Sequence, residues 1–247
     1  MKAMVFAAGL GTRLRPLTND RPKALVEVGG KTMLERVITH LADCGVTDIT
    51  VNIHHFGEKI IEFLEEKKNF GLDIHISDER DLLLDTGGGL MKARKFLDGD
   101  EPFIVHNADI LTDLDLKAMY DFHVEHDALS TILVKDRQTQ RYFLFDHDHR
   151  LKGWINKKTG ETKPEGYQYD PQKVDSLAFG CVHVLSPRIF DAIEKYSEAK
   201  GNVFSIAPFY AEMCDSYKIY GYQQFSDYKW LDVGKPETLA QAEEMFK

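Results

Sequence analysis

The chain has 247 residues with 43% hydrophobic and 29% charged content, and its formal net charge at pH 7 is −9. This composition is typical of a globular protein, and we expect a single domain over residues 1–247. The negative charge disfavours nucleic acid as a partner. No apolar run approaches the ~18 residues of a membrane span, and the N-terminus leads directly into a strand. We therefore expect a cytoplasmic protein without membrane association.

The first half of the chain alternates predicted strands and helices. Apolar runs predict strands at residues 2–8, 48–53, 73–77, 103–107 and 129–134. Apolar residues at helical spacing predict helices around residues 34–42, 60–64, 86–97 and 114–126. This alternation favours an α/β fold, a Rossmann-like, mostly parallel mixed sheet with helices on both faces. Ligands of such sheets bind beyond the carboxyl ends of the strands, where several candidate loops fall.

The second half begins with a stretch of different character. Residues 136–175 are polar and rich in aromatic side chains, and short patterns predict β-hairpins there before the sheet resumes at residues 177–185. Ser186-Pro187 predicts the start of a helix, because proline is favoured in the first helical turn. Further helices are predicted at residues 203–214 and 236–246.

A glycine-rich loop follows the first predicted strand and is the most informative segment of the chain. It reads Ala7-Ala8-Gly9-Leu10-Gly11-Thr12-Arg13-Leu14-Arg15-Pro16-Leu17-Thr18, and Pro22-Lys23 follows. Glycine lets backbone N–H groups approach an anion closely, and nearby cations neutralise the remaining charge. The combination predicts a site for the polyphosphate of a nucleoside triphosphate.

Two familiar nucleotide-binding motifs do not fit this loop. A dinucleotide fingerprint requires G-x-G-x-x-G, but Leu14 occupies the position of the third glycine. A P-loop that ends at Gly30-Lys31-Thr32 requires its first glycine where the chain has Leu25. The sequence therefore predicts a different type of phosphate-binding loop at the end of a strand.

The loop and Pro22-Lys23 resemble the motifs of the sugar-1-phosphate nucleotidylyltransferases. The resemblance continues in the family's order with Asp85-Thr86-Gly87-Gly88-Gly89, Asn107-Ala108-Asp109 and Trp230-Leu231-Asp232-Val233-Gly234. It implies transfer of a nucleotidyl group from an NTP to a sugar 1-phosphate, with Mg²⁺ as cofactor and pyrophosphate as the leaving group. The short chain and the triple glycine are most similar to the N-acetylmuramate-1-phosphate uridylyltransferases, so UTP is the expected donor. The hairpins of residues 136–175 would then form a lid on the sugar side.

Such a reaction joins two anions, so it needs positioning and charge stabilisation more than a general base. We expect Arg13, Lys23 and Asp109 to be the catalytic residues, with the two cations holding phosphates. Asp109 and Asp232 are the expected Mg²⁺ ligands, since carboxylates suit this ion and the resemblance assigns them the role. The residues expected to bind the nucleotide are Ala8, Gly9, Gly11, Thr12, Arg13, Thr86, Gly88 and Asp109. The residues expected to bind the acceptor are Lys23, Asn107, Phe179 and Asp232.

Two positions depart from the family's pattern. Ala108 stands where the family often has glycine, and Cys181 replaces a glycine beside the expected sugar pocket. The identity of the sugar therefore stays open, with glucose and mannose 1-phosphates as further candidates. Two other functions also stay open. One is transfer to a non-sugar phosphate such as phosphocholine, held by Trp154, Tyr142 and Tyr167, and the other is a non-catalytic regulatory role. The sequence gives no indication of the oligomeric state.

Overall fold

A ten-stranded mixed β-sheet forms the centre of the structure, a computed structural model that describes residues 1–246. The strands are β1 (Lys2–Phe6), β2 (Glu27–Val28), β3 (Lys31–Thr32), β4 (Asp48–Ile53), β5 (Asp73–Asp78), β6 (Phe103–Asn107), β7 (Ile110–Thr112), β8 (Ser130–Lys135), β9 (Arg141–Phe145), β10 (Leu151–Asn156), β11 (Thr162–Lys163), β12 (Asp175–Leu185), β13 (Ile219–Tyr222) and β14 (Trp230–Asp232). The helices are α1 (Met33–Asp43), α2 (Gly57–Glu66), α3 (Asp85–Lys92), α4 (Arg94–Leu97), α5 (Leu116–Glu125), α6 (Ile189–Lys200), α7 (Ile206–Met213) and α8 (Pro236–Met245). No helix within residues 1–246 is both long enough and apolar enough to cross a bilayer.

The parallel part of the sheet matches the predicted alternation of strands and helices. Strands β5, β4, β1 and β6 lie side by side in this order and run in the same direction. Ala3, Met4 and Val5 of the central strand β1 are fully buried. Successive side chains of a strand point to opposite faces, so Met4 packs into one hydrophobic cluster and its two neighbours pack into another. Strand β1 is therefore covered on both faces.

Helices pack on both faces of the sheet, as the sequence predicted. Helix α1 lies on one face and buries a stripe that includes Leu34 and Leu41. Its first turn is capped by the Thr32 hydroxyl, which accepts a hydrogen bond from the Glu35 N–H at 3.1 Å. Helices α6 and α7 pack on the opposite face. The predicted Rossmann-like α/β fold class is confirmed.

The predicted hairpins of residues 136–175 form, and they extend the main sheet. Strands β9, β10 and β11 pair antiparallel with one another. The long strand β12 joins them to the parallel part, since residues 175–177 pair with β9 and residues 182–185 pair with β6. The two parts of the chain therefore share one continuous sheet.

Several elements differ from the sequence prediction in their bounds. The single helix predicted at residues 86–97 forms α3 and α4, with an interruption at Ala93. The helix predicted to start at Pro187 begins two residues later, at Ile189. The sequence pattern does not predict β7, β13 and β14, because three or four residues carry too little periodicity.

The consecutive glycines of α3 are required by close packing of the chain on itself. A Cβ atom at Gly88 would collide with the carbonyl oxygen of Asn202, and one at Gly87 would collide with the Phe204 ring. The Gly87 N–H also donates a hydrogen bond to the Phe204 carbonyl oxygen at 2.8 Å. The glycines thus allow α3 to lie directly against the segment that precedes α7.

A β-bulge interrupts strand β12 at Cys181. The pairing of β12 with β8 shifts register between Phe179 and His183, and Cys181 has a φ of +58°. This left-handed backbone costs a residue with a Cβ atom about 1–2 kcal/mol, whereas glycine adopts it freely. The geometry therefore favours glycine at this position.

We expect Cys181→Gly to be more stable than Cys181→Ala by about 1–2 kcal/mol, because only glycine relieves the left-handed backbone. In an ordinary strand alanine is the more stable of the two. Urea unfolding of the two variants, which both lack the thiol, measures the difference. Equal stability would show that the bulge carries no strain.

Candidate active site

A cavity of about 470 Å³ opens at the carboxyl ends of the parallel strands. The loop after β1, the end of β4, the start of α3 and the turn after β6 supply its walls. These segments are distant in sequence and meet because parallel strands end at one edge of the sheet. The predicted site residues that line the cavity are Ala8, Gly9, Lys23, Thr86, Asn107 and Asp109.

Lys23 is the cation that lines this cavity. The residue is only 9% exposed, and its ammonium group forms an ion pair with Asp109. Gly11 lies behind it in a left-handed conformation with a φ of +64°, and a Cβ atom there would lie 3.1 Å from Lys23 Cβ. The Thr18 hydroxyl donates a hydrogen bond to the Gly11 carbonyl oxygen at 2.8 Å. The turn at Gly11 therefore holds the loop against the lysine side chain.

A buried polar network fixes the position of the glycine-rich loop. Asn52 accepts a hydrogen bond from the Ala7 N–H at 2.7 Å and donates one to Glu79 at 2.8 Å. The second oxygen of Glu79 accepts from the Leu84 N–H at 3.0 Å, directly before α3. Asn52 and Glu79 are 3% and 0% exposed, so these bonds form in a low-dielectric interior. Asn52 is absent from the sequence prediction, because an asparagine within a strand belongs to no recognisable motif.

Helix α3 contributes Thr86 to the cavity but not Gly88. The Thr86 hydroxyl accepts a hydrogen bond from the Ile206 N–H at 3.0 Å, so it also caps α7. Gly88 is buried against Asn202 and does not belong to the lining. In this structure Gly88 serves helix packing in place of the predicted contact with the nucleotide.

A short antiparallel pair of strands brings Asp232 next to Asp109. Strand β14 ends at Asp232 and pairs with β7, which begins directly after Asp109. The Val233 N–H then donates a hydrogen bond to the Asp109 carbonyl oxygen at 2.9 Å. A Cβ atom at Gly234 would lie 2.9 Å from Asp232 Oδ1 and 3.1 Å from Arg13 Nη2. The arginine and the two aspartates therefore converge on one small region beside the cavity.

The two carboxylates repel each other electrostatically. Burial raises the pKa of Asp232, and the negative charge of Asp109 raises this pKa further. Three cations lower it again in part, namely Lys23, Arg13 and Arg137. Arg137 is absent from the sequence prediction, because it lies in a polar stretch without a motif.

Both departures from the family pattern lie close to these carboxylates. Ala108 is 3% exposed and lines the cavity, and its N–H donates a hydrogen bond to the Phe6 carbonyl oxygen at 3.0 Å. Cys181 keeps some solvent exposure as a residue, but burial of its thiol raises the pKa to about 12, and Asp109 and Asp232 add to this shift. The thiol therefore stays protonated at neutral pH and is a poor nucleophile.

The carboxylate pair fits the predicted Mg²⁺ ion. Asp232 Oδ1 is buried and has no hydrogen-bond partner among residues 1–246. A buried polar atom without a partner is costly unless a ligand satisfies it, and hard carboxylate oxygens suit Mg²⁺. A second group of potential ligands, Asp48, Asp73 and His75, lies at the start of β4 and β5. That edge of the sheet is opposite to the cavity.

Two further predicted residues, Phe179 and Thr12, do not face the cavity. The Phe179 ring packs edge-on against Phe143 and His183, at centroid distances of 5.8 and 4.8 Å. Its carbonyl oxygen accepts a hydrogen bond from Arg137 at 3.2 Å. Phe179 is therefore half-buried against the edge of the core and lies outside the cavity lining. Thr12 is exposed on the loop, outside the lining.

An α/β sheet whose carboxyl edge carries a glycine-rich loop, a buried lysine and paired carboxylates is typical of proteins that bind nucleotides. Sequence comparison specifies the family, since the sequence model of the nucleotidyl transferase family matches residues 2–247. The chain belongs to this family.

Named relatives cover nearly all of the chain. Mannose-1-phosphate guanyltransferase of Candida albicans is 32% identical over 243 residues, which are 97% of this chain and 62% of that protein. The chain thus spans less than two thirds of that relative's length. N-acetylmuramate alpha-1-phosphate uridylyltransferase of Caulobacter vibrioides is 31% identical over 250 residues, 98% of this chain and 95% of that protein. The crystal structure of HddC from Yersinia pseudotuberculosis complexed with GMP-PN has a TM-score of 0.75 and 24% identity, covering 100% of this chain and 99% of that chain. This last likeness supports the fold.

We expect Asp232→Asn to raise the Tm at pH 7 when divalent ions are chelated. The pKa of Asp232 is raised in the folded protein, so ionised Asp232 destabilises the fold once the pH exceeds the ordinary Asp pKa of about 4. The advantage of the variant should therefore disappear as the pH falls towards 4. Mg²⁺ should stabilise the wild type more than the variant. Thermal melts with EDTA or MgCl₂ at both pH values measure these effects. A variant that is less stable at pH 7 and responds normally to Mg²⁺ would contradict the assignment.

Proposed function

We propose that this protein transfers a nucleotidyl group from an NTP to a sugar 1-phosphate in a Mg²⁺-dependent reaction that releases pyrophosphate. The observation that carries the proposal is the meeting of the glycine-rich loop, Lys23 and Asp109 in one cavity, with Asp232 adjacent. The family assignment supports it, as do two relatives whose names describe nucleotide transfer to sugar 1-phosphates.

The side chains present can stabilise the charges of this reaction. A phosphate oxygen of the acceptor attacks the α-phosphorus of the NTP, and the bond from that phosphorus to the α–β bridging oxygen breaks. The attacking oxygen is already anionic near neutral pH, so no side chain has to remove a proton. Backbone N–H groups around Gly9 and Gly11 would bind triphosphate oxygens, and Arg13 would hold the departing phosphates.

Lys23 and the two aspartates would together stabilise charge at the reacting phosphorus. Asp109 and Asp232 would hold Mg²⁺, which supplies charge neutralisation at the phosphate oxygens when it is bound. Lys23 is paired with Asp109 in this structure. When substrate binds, Lys23 would exchange this ion pair for a contact with phosphate. The ion pair thus keeps the lysine directed at the reacting centre beforehand.

We further propose UTP as the donor. A relative named as a uridylyltransferase, 31% identical over 250 residues, supports this choice of donor. The base would lie between the loop after β1 and the start of α3. Asn52, Glu79 and Thr86 line this part of the cavity.

The aromatic box considered for a choline group does not assemble. Tyr142 pairs with Ile155, and Trp154 pairs with Phe143 on the neighbouring strand. Adjacent residues of a strand point to opposite faces, so the Tyr142 and Trp154 rings lie on opposite faces of the sheet. The Lys157 ammonium group already lies 4.6 Å from the centroid of the Tyr142 ring. The geometry therefore favours a sugar phosphate over phosphocholine.

We expect Asp109→Asn to lower kcat by at least about 100- to 1,000-fold, because it removes charge stabilisation at the reacting phosphorus. The measurement is pyrophosphate release at saturating Mg²⁺, with circular dichroism to show that the variant is folded. Asp121→Asn is the matched control, since Asp121 is exposed and pairs with Lys117 on the surface. A folded Asp109→Asn variant with near-wild-type turnover would contradict the assignment.

We expect pyrophosphate release from one pairing of UTP with a sugar 1-phosphate when several NTPs and acceptors are tested with Mg²⁺. The acceptors are N-acetylmuramate, glucose and mannose 1-phosphates, and phosphocholine. Release only with GTP and mannose 1-phosphate would show that the donor is GTP and not UTP, and it would leave the proposed reaction class unchanged. Release only with phosphocholine would overturn the sugar proposal. No release from folded protein that binds NTP would favour the regulatory role.

A further inference from the structure

A cationic side chain outside the cavity lining, Arg137, leaves one of its donors unpaired within the part of the chain that the structure describes. Arg137 follows strand β8, and its guanidinium group lies over the Trp230 ring, 5.1 Å from the ring centroid. Its Nη2 donates a hydrogen bond to the Phe179 carbonyl oxygen at 3.2 Å. Its Nε is buried and has no hydrogen-bond partner among residues 1–246. Burial of a cation with an unpaired donor is costly, and a nearby anion offsets this cost through its negative charge.

The stacking on Trp230 places Arg137 on the Asp232 side of the site. Trp230 and Asp232 are two residues apart on β14, so their side chains lie on the same face of that strand. The Trp230 indole is fixed, because its Nε1 donates a hydrogen bond to the Gly180 carbonyl oxygen at 3.0 Å. The guanidinium group is therefore held beside Asp232 by a rigid aromatic ring.

A second cation lies on the same aromatic surface. The Lys135 ammonium group is 3.9 Å from the centroid of the Tyr228 ring and 5.7 Å from that of Trp230. Lys135 and Arg137 thus both lie near the Trp230 ring, and two like charges so close together repel each other. An anion bound between them would remove this repulsion. The planar guanidinium fork matches two oxygens of one phosphate group.

We propose that Arg137 binds the phosphate group of the acceptor substrate, on the side of Asp232 that faces away from the nucleotide cavity. The inference rests on the proposed function, in which a phosphate must approach the reacting phosphorus beside Asp109 and Asp232. Lys23 lines the cavity assigned to the NTP, so the acceptor phosphate needs a cation of its own. Arg137 supplies that cation and is thereby a substrate-binding residue.

The kinetic test uses the acceptor that the wild type accepts. Arg137→Gln should raise the KM for the sugar 1-phosphate about 10- to 100-fold, the loss typical of a charged hydrogen bond, and leave the KM for the NTP within about twofold. The KM of Arg137→Lys for the sugar 1-phosphate should lie between the values of the wild type and Arg137→Gln. Lysine keeps the positive charge but lacks the guanidinium fork. Arg188→Gln is the control, since Arg188 pairs with Asp127 on the surface at 2.7 Å. Equal increases in both KM values, or none, would overturn the inference.

A binding test keeps this inference separate from the proposed function. The chain has two tryptophans, so Trp154→Phe leaves Trp230 as the reporter of the Arg137 site. Its fluorescence should respond saturably to sugar 1-phosphates and to inorganic phosphate, and Arg137→Gln in this background should weaken the response about 10- to 100-fold. If no acceptor supports turnover but this response persists, the anion site stands and the proposed function falls. If the enzyme is active and the response does not depend on Arg137, the inference falls alone.

Discussion

The pairing of β14 with β7 is the constraint on which the site depends. It holds Asp232 against Asp109 by backbone hydrogen bonds, although burial and mutual repulsion raise the pKa of Asp232. The backbone thus stabilises a side-chain arrangement that is electrostatically unfavourable by itself. A cation that binds between the carboxylates lowers the free energy of the folded state, because it relieves this repulsion. The strand pairing would therefore favour the binding of a metal ion at this site.

Cations are distributed on either side of the carboxylate pair, although the chain as a whole has a net charge of −9. Lys23 lies on the cavity side, and Arg137 lies on the side of Trp230. The two aspartates reduce the repulsion between these cations in the free protein. Under the proposed function, two phosphorylated substrates would each meet a cation of their own, with the carboxylates between them. A local field of this kind suits a reaction between anions without requiring a basic protein.

Sequence patterns predict those features of the site that depend on local order along the chain. The glycine-rich loop, Lys23 and Asp109 follow predicted strands, and parallel strands bring their ends to one edge. Gly88 and Phe179 are different, because their packing depends on partners distant in sequence. Arg137 was not predicted for a similar reason, since its position is defined by contact with Trp230. Strand β14, which places that ring, has only three residues and no readable period.

The bulge at Cys181 connects strand β12 to the Arg137–Trp230 stack. The carbonyl groups of Phe179 and Gly180, which directly precede Cys181, accept hydrogen bonds from Arg137 and from Trp230 respectively. Strand β12 continues beyond the bulge in pairs with β6 and β8, so the left-handed conformation is imposed from both sides. The strain at Cys181, about 1–2 kcal/mol, is therefore offset by strand pairing. Because the two carbonyl groups belong to the backbone of β12, we expect the stack to keep its place whether residue 181 is cysteine or glycine. The cysteine then affects the stability of the sheet more than the position of the cation.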